Sequence, residues 1–193
     1  MLLARRLRAQ PRDIAFTFGP KGKPALAGNS QLRFNMSHSG SLALLAFTTD
    51  CEIGVDVEQV RAMADIEQIA SSHFCSEETS ELLSLDGEMA KQEAFFRCWT
   101  RKEAYIKAVG DGLSMPLDRF QVTLLPDVPP RLVRVGIGQE PAAGWTLQHL
   151  EPAPGYVGAV AYRDRPRALN IHSPVDPGEL LAQCAASIPE SCT

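Results

Sequence analysis

The chain carries no pairing signal among its cysteines. Five of them (Cys51, Cys75, Cys98, Cys184 and Cys192) are scattered without a C-x-x-C spacing, which argues against a zinc ribbon or a disulfide frame. They read as small, reduced hydrophobes of a cytoplasmic protein. No apolar run nears the roughly 20 residues that cross a bilayer. The opening MLLARRLRAQ is basic, but it lacks the apolar core and cleavage pattern of a signal peptide. Aromatics make up only 7% of the residues and the net charge is −4, so the basic, aromatic-interleaved surface of a general nucleic-acid binder is missing. There is no short-period repeat, no G-x-S-x-G, and no cysteine near a histidine in a strand-end setting. Covalent catalysis through an activated serine or cysteine therefore has no sequence support.

What is present is a chain of 193 residues, 45% hydrophobic and 22% charged. That suffices for one ordinary domain, or for two small lobes sharing a core. Residues 1 to 9 can form about two helical turns before Pro11 stops them. FGPKGKPAL (Phe18 to Leu26) reads as a loop broken by Gly and Pro, in which Lys21 and Lys23 are solvated turn residues on the plainest reading. Leu32 to Met36 alternates as a strand, SHSG (Ser37 to Gly40) reads as a polar turn, and Leu42 to Thr48 is an apolar strand. IGVDVE (Ile53 to Glu58) follows as a third strand, so this part is expected to be a β-meander. Residues 63–74 and 76–85 read as helices, the second with Glu77 and Glu78 in its first turn. Phe120 to Leu125, Arg131 to Val135, Trp145 to Leu150 and Tyr156 to Ala161 are expected to form an antiparallel sheet. Residues 163–193 read as a peripheral tail with a weak helix near Glu179 to Ala186.

The densest chemistry lies in FFRCWTRKEAYIKAVGDGL (Phe95 to Leu113), a helix closed by glycines at Gly110 and Gly112. Phe95, Trp99, Ile106 and Val109 form its apolar stripe, flanked by Cys98 and Tyr105, and Arg97 and Arg101 fall on the opposite, wet side. Lys102 breaks the pattern by standing among core residues, where an ammonium must snorkel or find an anion. Glu103 and Lys107, four apart, can meet along one shoulder of the stripe.

Asp56 and Glu58 are two apart on a strand and therefore share a face. Alone, D-x-E reads equally as an exposed strand end with two solvated acids. Together with Glu103 it offers three hard oxygen donors for Mg²⁺, and Lys102 and Lys107 would neutralise phosphate charge. The SHSG turn adds the hydroxyls of Ser37 and Ser39, the His38 imidazole and free backbone N–H groups, a combination that can hold an anion. The chemistry suggested is metal-assisted displacement at phosphorus.

FNMSHSG (Phe34 to Gly40), IGVDVE (Ile53 to Glu58) and WTRKEAYIKAVGDGL (Trp99 to Leu113), in this order, resemble the 4′-phosphopantetheinyl transferases of the surfactin-synthetase-activating type. The likeness extends from the first residues to about Tyr162, through the GKP turn at Gly22 to Pro24 and the GLSMPLDRFQV run after the helix. It implies an α+β fold of two pseudo-symmetric lobes with the active-site cleft between them: residues 1–50 as a first lobe, 51–162 as a second, and 163–193 as the tail. Met1-Leu2-Leu3 resembles the middle of a helix that family members precede with a further segment, so the first lobe is expected to be N-terminally incomplete. The implied reaction moves phosphopantetheine from coenzyme A to a serine of an apo acyl or peptidyl carrier protein and releases 3′,5′-ADP.

By the same resemblance Asp56, Glu58 and Glu103 hold Mg²⁺. Glu103 also serves as general base, and Lys107 assists the leaving group or the proton transfer. Lys102 and Lys107 bind the pyrophosphate, Ser37 and His38 contact the nucleotide, and Lys23 lies along its adenosine end. Coenzyme A and the carrier are the expected partners of a monomeric, cytoplasmic enzyme, without nucleic acid or membrane. Two other readings stay open. One is a non-catalytic relative that binds carrier domains. The other is a Mg²⁺-dependent nuclease, which would use the same strand carboxylates and which the acidic composition opposes.

Overall fold

In the computed structural model, which describes residues 1–110, 115–136 and 142–185, the alternating segments become strands and the apolar-striped segment becomes the one long helix. Two short strands, β1 (Phe16–Phe18) and β2 (Pro24–Leu26), pair with each other. β3 (Leu32–Ser39) and β4 (Leu42–Thr49) form an antiparallel hairpin. β5 (Ile53–Gln59) is followed by the helices α2 (Ile66–His73), α3 (Ser76–Leu83) and α4 (Glu88–Val109). Then come β6 (Phe120–Val122), β7 (Leu132–Val135), β8 (Thr146–Leu150) and β9 (Tyr156–Tyr162). With α1 (Leu2–Leu7) at the start and α5 (Pro177–Ala185) at the end, the architecture is α+β.

The chain divides into two compact units. One comprises residues 1–16 and 167–193, and the other residues 17–166. In the smaller unit α1 ends at Arg8, which takes a left-handed conformation (φ 52°). Ala9 N–H then returns to the Ala4 carbonyl at 3.0 Å and closes the last turn. The larger unit holds all the candidate site residues.

Several sequence expectations change here. SHSG is not a turn: Ser37, His38 and Ser39 continue β3, and the hairpin turns at Gly40 (φ 55°) and Ser41. The meander also breaks after β4, because β5 pairs with β9 in a sheet ordered β5-β9-β8, with Asp56 opposite Ala159. β6 pairs with β7 as a separate two-stranded sheet. The Gly/Pro-rich stretch 18–26, read as loop, contributes to β1 and β2. Gly110 terminates α4 in the left-handed region (φ 88°) as expected, whereas Gly112 lies outside the described residues.

α4 lies across the sheet and carries much of the core. Phe95, Phe96, Cys98, Tyr105 and Ile106 are buried among Phe74, Leu82, Phe120 and Leu147. Phe74 and Phe95 meet at 5.2 Å between ring centroids, and Tyr105 meets Phe120 and Trp145 at 5.0 Å each. Each such ring contributes on the order of 1.5–3 kcal/mol by leaving water. Arg101 does not reach solvent as its place on the helix suggested. It is 2% exposed because the chain beyond β6 covers that side, and its guanidinium donates to the Thr123 carbonyl and hydroxyl.

The distance from helix to sheet is set at Gly54. A Cβ there would lie 2.1 Å from the Ala104 carbonyl oxygen and 2.3 Å from the Ala108 nitrogen, both backbone atoms of α4. Only hydrogen fits, and this contact brings Glu103 and Lys107 down onto β5. Gly54→Ala should therefore destabilise the fold by about 3 kcal/mol or more, read as a lower urea midpoint. Gly19→Ala, whose Cβ would meet only the Lys23 carbonyl oxygen at 3.7 Å, should stay within about 0.5 kcal/mol of the parent.

Candidate active site

Alternation along β5 buries Val55 and Val57 on one face and turns Asp56 and Glu58 to the face shared with Gly54, under α4. β3 lies alongside and presents Asn35, Ser37 and Ser39 to β5. These side chains substitute for a backbone ladder. Asn35 Oδ1 accepts the Val55 N–H at 2.9 Å, and Ser39 Oγ accepts the Gln59 N–H at 3.1 Å. Ser37 donates to Asp56 Oδ1 at 2.7 Å, and Ser39 donates to Glu58 Oε2 at 2.7 Å.

Lys107 descends from α4 to the same point. Its Nζ donates to Asp56 Oδ1 at 2.6 Å and to Ser37 Oγ at 2.9 Å. Asp56 is 4% exposed, and its other oxygen, Oδ2, is buried with no hydrogen-bond donor. Glu103 Oε1 is likewise buried and unpartnered. Burial pushes the Asp56 carboxyl above the ordinary aspartate range, against the pull of Lys107 and Ser37, with Glu58 adding to the rise. Burial also raises Glu103, reinforced by the negative charges of Asp56 and Glu58 and opposed by Lys107. Two crowded, desolvated carboxylates, of which the one ammonium pairs with Asp56 alone, are unfavourable for folding and suited to a cation or a transferable proton.

Hard, negatively charged oxygens without donors match a hard divalent cation in their chemistry, so Asp56 and Glu103 fit such an ion. Glu58 turns instead to Ser39 and, at 3.9 Å, to Arg61. Among the described residues no three His, Cys, Asp or Glu side chains converge as metal ligands.

The remaining sequence candidates fall elsewhere. His38 follows Ser37 on β3 and therefore points to the opposite face, where it is exposed. Lys23 is not a solvated turn residue. Its ammonium donates to the Ala108 carbonyl at 2.7 Å, capping the C-terminal end of α4, and to Glu52 Oε2 at 2.8 Å.

Lys102 corrects the expected assignment. The side chain has no exposed surface and its Nζ meets Glu78 Oε2 at 2.7 Å. It also donates to the Leu117 and Phe120 carbonyls at 2.7 and 2.6 Å. An ammonium has three donors, all used within the fold, so none is left for a pyrophosphate oxygen. Glu78 in turn accepts the Cys75 N–H at 3.0 Å, as in a capping box at the start of α3, and the Val122 N–H at 2.7 Å. Sequence reading placed Glu78 at a helix start and missed its second role. The signal available was Lys102 itself, an apolar-stripe lysine requiring a buried acid.

A family model described as the 4′-phosphopantetheinyl transferase superfamily matches residues 52–161. The chain belongs to this superfamily. It is 39% identical over 163 residues to the 4′-phosphopantetheinyl transferase HetI of Nostoc, covering 83% of this chain and 65% of that protein. To Sfp of Bacillus subtilis it is 35% identical over 126 residues, covering 65% and 54% respectively. To AcpT of Salmonella typhimurium it is 36% identical over 112 residues, covering 57% and 55%. The chain thus spans about half to two thirds of the length of these relatives. Among solved structures, the holo-[acyl-carrier-protein] synthase of Thermotoga maritima is similar over 60% of this chain and 64% of that one, with a TM-score of 0.44 and 18% identity. The stretch matched by the superfamily model includes Asp56, Glu58, Glu78, Lys102, Glu103 and Lys107.

Glu78 is the partner on which Lys102 depends. Removing one member of a buried ion pair leaves the other charged and uncompensated, so Glu78→Gln should cost about 3–5 kcal/mol. Equilibrium unfolding in urea measures it, and a loss below about 1 kcal/mol would contradict the pairing.

Proposed function

We propose that the chain transfers the 4′-phosphopantetheine group of coenzyme A to a serine hydroxyl of an apo acyl or peptidyl carrier protein, as an enzyme of the surfactin-synthetase-activating type. The observation that carries the reading is the meeting of Asp56, Ser37 and Lys107 beside the unpartnered Glu103 oxygen. It combines a cationic donor for phosphate oxygens with a carboxylate poised to accept a proton.

In this reading Glu103 takes the proton of the carrier serine, and its raised pKa makes it a stronger base than an ordinary glutamate. The serine oxygen bonds to the phosphorus that carries the pantetheine arm. The bond from that phosphorus to the bridging oxygen breaks, and 3′,5′-ADP leaves with the electron pair. Lys107 leaves Asp56 for the pyrophosphate and neutralises the leaving oxygen. Mg²⁺ held by Asp56, Glu58 and Glu103, with Glu58 rotated from Ser39, would supply charge neutralisation of the pyrophosphate.

Ser37 orients Asp56 and is assigned to the nucleotide. His38, on the outer face of the hairpin, is assigned to its 3′-phosphate. Lys23 is assigned to the adenosine end, beside its partner Glu52 on an open hollow of about 470 Å³ that Arg33 and Arg163 also line. Residues 1–50 and 51–162 are read as the two lobes, and the enzyme as a cytoplasmic monomer. No described helix is long and apolar enough to cross a membrane.

Incubation with coenzyme A, Mg²⁺ and a panel of apo carriers, weighed by intact mass spectrometry, should show a phosphopantetheine-sized gain on at least one carrier. A folded sample that modifies none rules out the active reading. Glu103→Gln should lower turnover by about 100-fold or more. Its thermal midpoint at neutral pH should not fall. A carboxyl with a raised folded pKa favours folding below the ordinary glutamate range and loses that contribution as pH rises through the raised value. The amide removes this cost. For the same reason the acid limb of kcat/KM should lie above pH 4.5, the ordinary glutamate value; a limb at or below it would remove Glu103 from the role of base.

A further inference from the structure

We infer that a cleft on another side of α4, lined by Arg97, Arg101 and His149, binds a small oxyanion of the phosphate class. Arg101 stands two residues before Glu103, about 200° around the helix, so this cleft is distinct from the carboxylate cluster. It has a volume of about 370 Å³ and is walled by the segment from Pro126 to Pro130 and by Glu151. The three prolines of that segment limit how far the wall can move.

Arg101 is 98% buried by its 2% exposure, yet among the described residues no carboxylate pairs with it. Its Nη1 is satisfied by Thr123, whereas its Nε is buried without a partner. Arg97 lies one turn earlier on the same side of the helix, and among the described residues its one ion pair is a long contact to Glu93 at 3.7 Å. His149 on β8 contributes a buried, unpartnered Nδ1, while its Nε2 lies 3.3 Å from Glu151. Burial and Arg97 push the Arg101 guanidinium down to about 10, and burial with both arginines lowers His149. Two guanidinium cations thus stand beside an imidazole held towards its neutral form, and among the described residues neither forms an ion pair with a carboxylate of the cleft. Two carboxylates do face the cleft, but Glu151 engages His149 and Asp127 forms no ion pair with either guanidinium among the described residues.

A buried guanidinium without a counterion is costly, and an oxyanion held by the fork of Arg97 would lie beside the buried Arg101 guanidinium and the imidazole. Phosphate fits the charge and leaves room for an attached organic group. The inference does not depend on the transferase reading, since the cleft shares no residue with Asp56, Glu103 or Lys107.

The test uses the whole chain. Thermal midpoints in about 20 mM phosphate or sulfate should exceed those in sodium chloride of equal ionic strength by about 3 °C or more. Acetate should be weaker. In NMR titrations the His149 imidazole should titrate at a higher pH with sulfate than with chloride, because a neighbouring anion favours the imidazolium. Arg97→Gln should abolish both shifts, and Lys107→Ala should retain them. An absent His149 shift in the parent protein overturns the inference whether or not the variant folds. A phosphate effect that survives Arg97→Gln and disappears with Lys107→Ala overturns it as well, by assigning the anion to the carboxylate cluster.

Discussion

Lys102 and Glu78 meet at 2.7 Å with no exposed surface on either side chain, and the register of α4 depends on that contact. Glu78 reaches three elements at once, through the Cys75 N–H at the start of α3, the Val122 N–H of β6 and the ammonium on α4. The next residue along α4 is Glu103 and a turn later comes Lys107, so rotating the helix to free Lys102 would carry both from β5. A buried pair of this kind adds little net stability compared with apolar packing. What it supplies here is position, since the ammonium finds three acceptors only at one rotation and one height of the helix.

The Gly54 contact acts in the perpendicular direction. Lys102 fixes how α4 is turned, and Gly54 fixes how close it lies. The result forces the desolvated Asp56 and Glu103 carboxylates near one another, a local arrangement that opposes folding. The surrounding core of Phe74, Phe95, Tyr105 and Phe120 offsets that repulsion. Lys107 answers part of it by bridging Asp56 and Ser37. In the proposed reaction this ammonium is the group that meets the pyrophosphate, so the contact that relieves the repulsion is also the one the reaction would exchange.

Much of the fold from β5 onward was legible because its signals are local. Periodicity located β5, α3, β8 and β9 to within a residue or two, and Gly110 marked the end of α4. Partnership was not legible. Nothing near Ile53 to Glu58 says that β5 joins β9 rather than β4, since that choice is made by an apolar face formed a hundred residues later. SHSG looked like a turn because its residues are polar. Its two serines, Ser37 and Ser39, are polar because they bond across to β5. Lys102 showed the converse: its misfit with the apolar stripe correctly demanded an anion, but sequence could not distinguish an acid of the chain from a ligand. Arg101 was placed in solvent because helical geometry identifies a second side without revealing what covers it.

The seam between β3 and β5 has a consequence of another kind. Backbone ladders are nearly indifferent to sequence, since every residue except proline offers the same rung. Here Asn35, Ser37 and Ser39 supply the rungs from their side chains. The stiffness of this one joint is therefore open to selection residue by residue, while the sheets on either side keep their pairing. Two of those three rungs end on Asp56 and Glu58, so substitutions that loosen or tighten the joint also retune the acids.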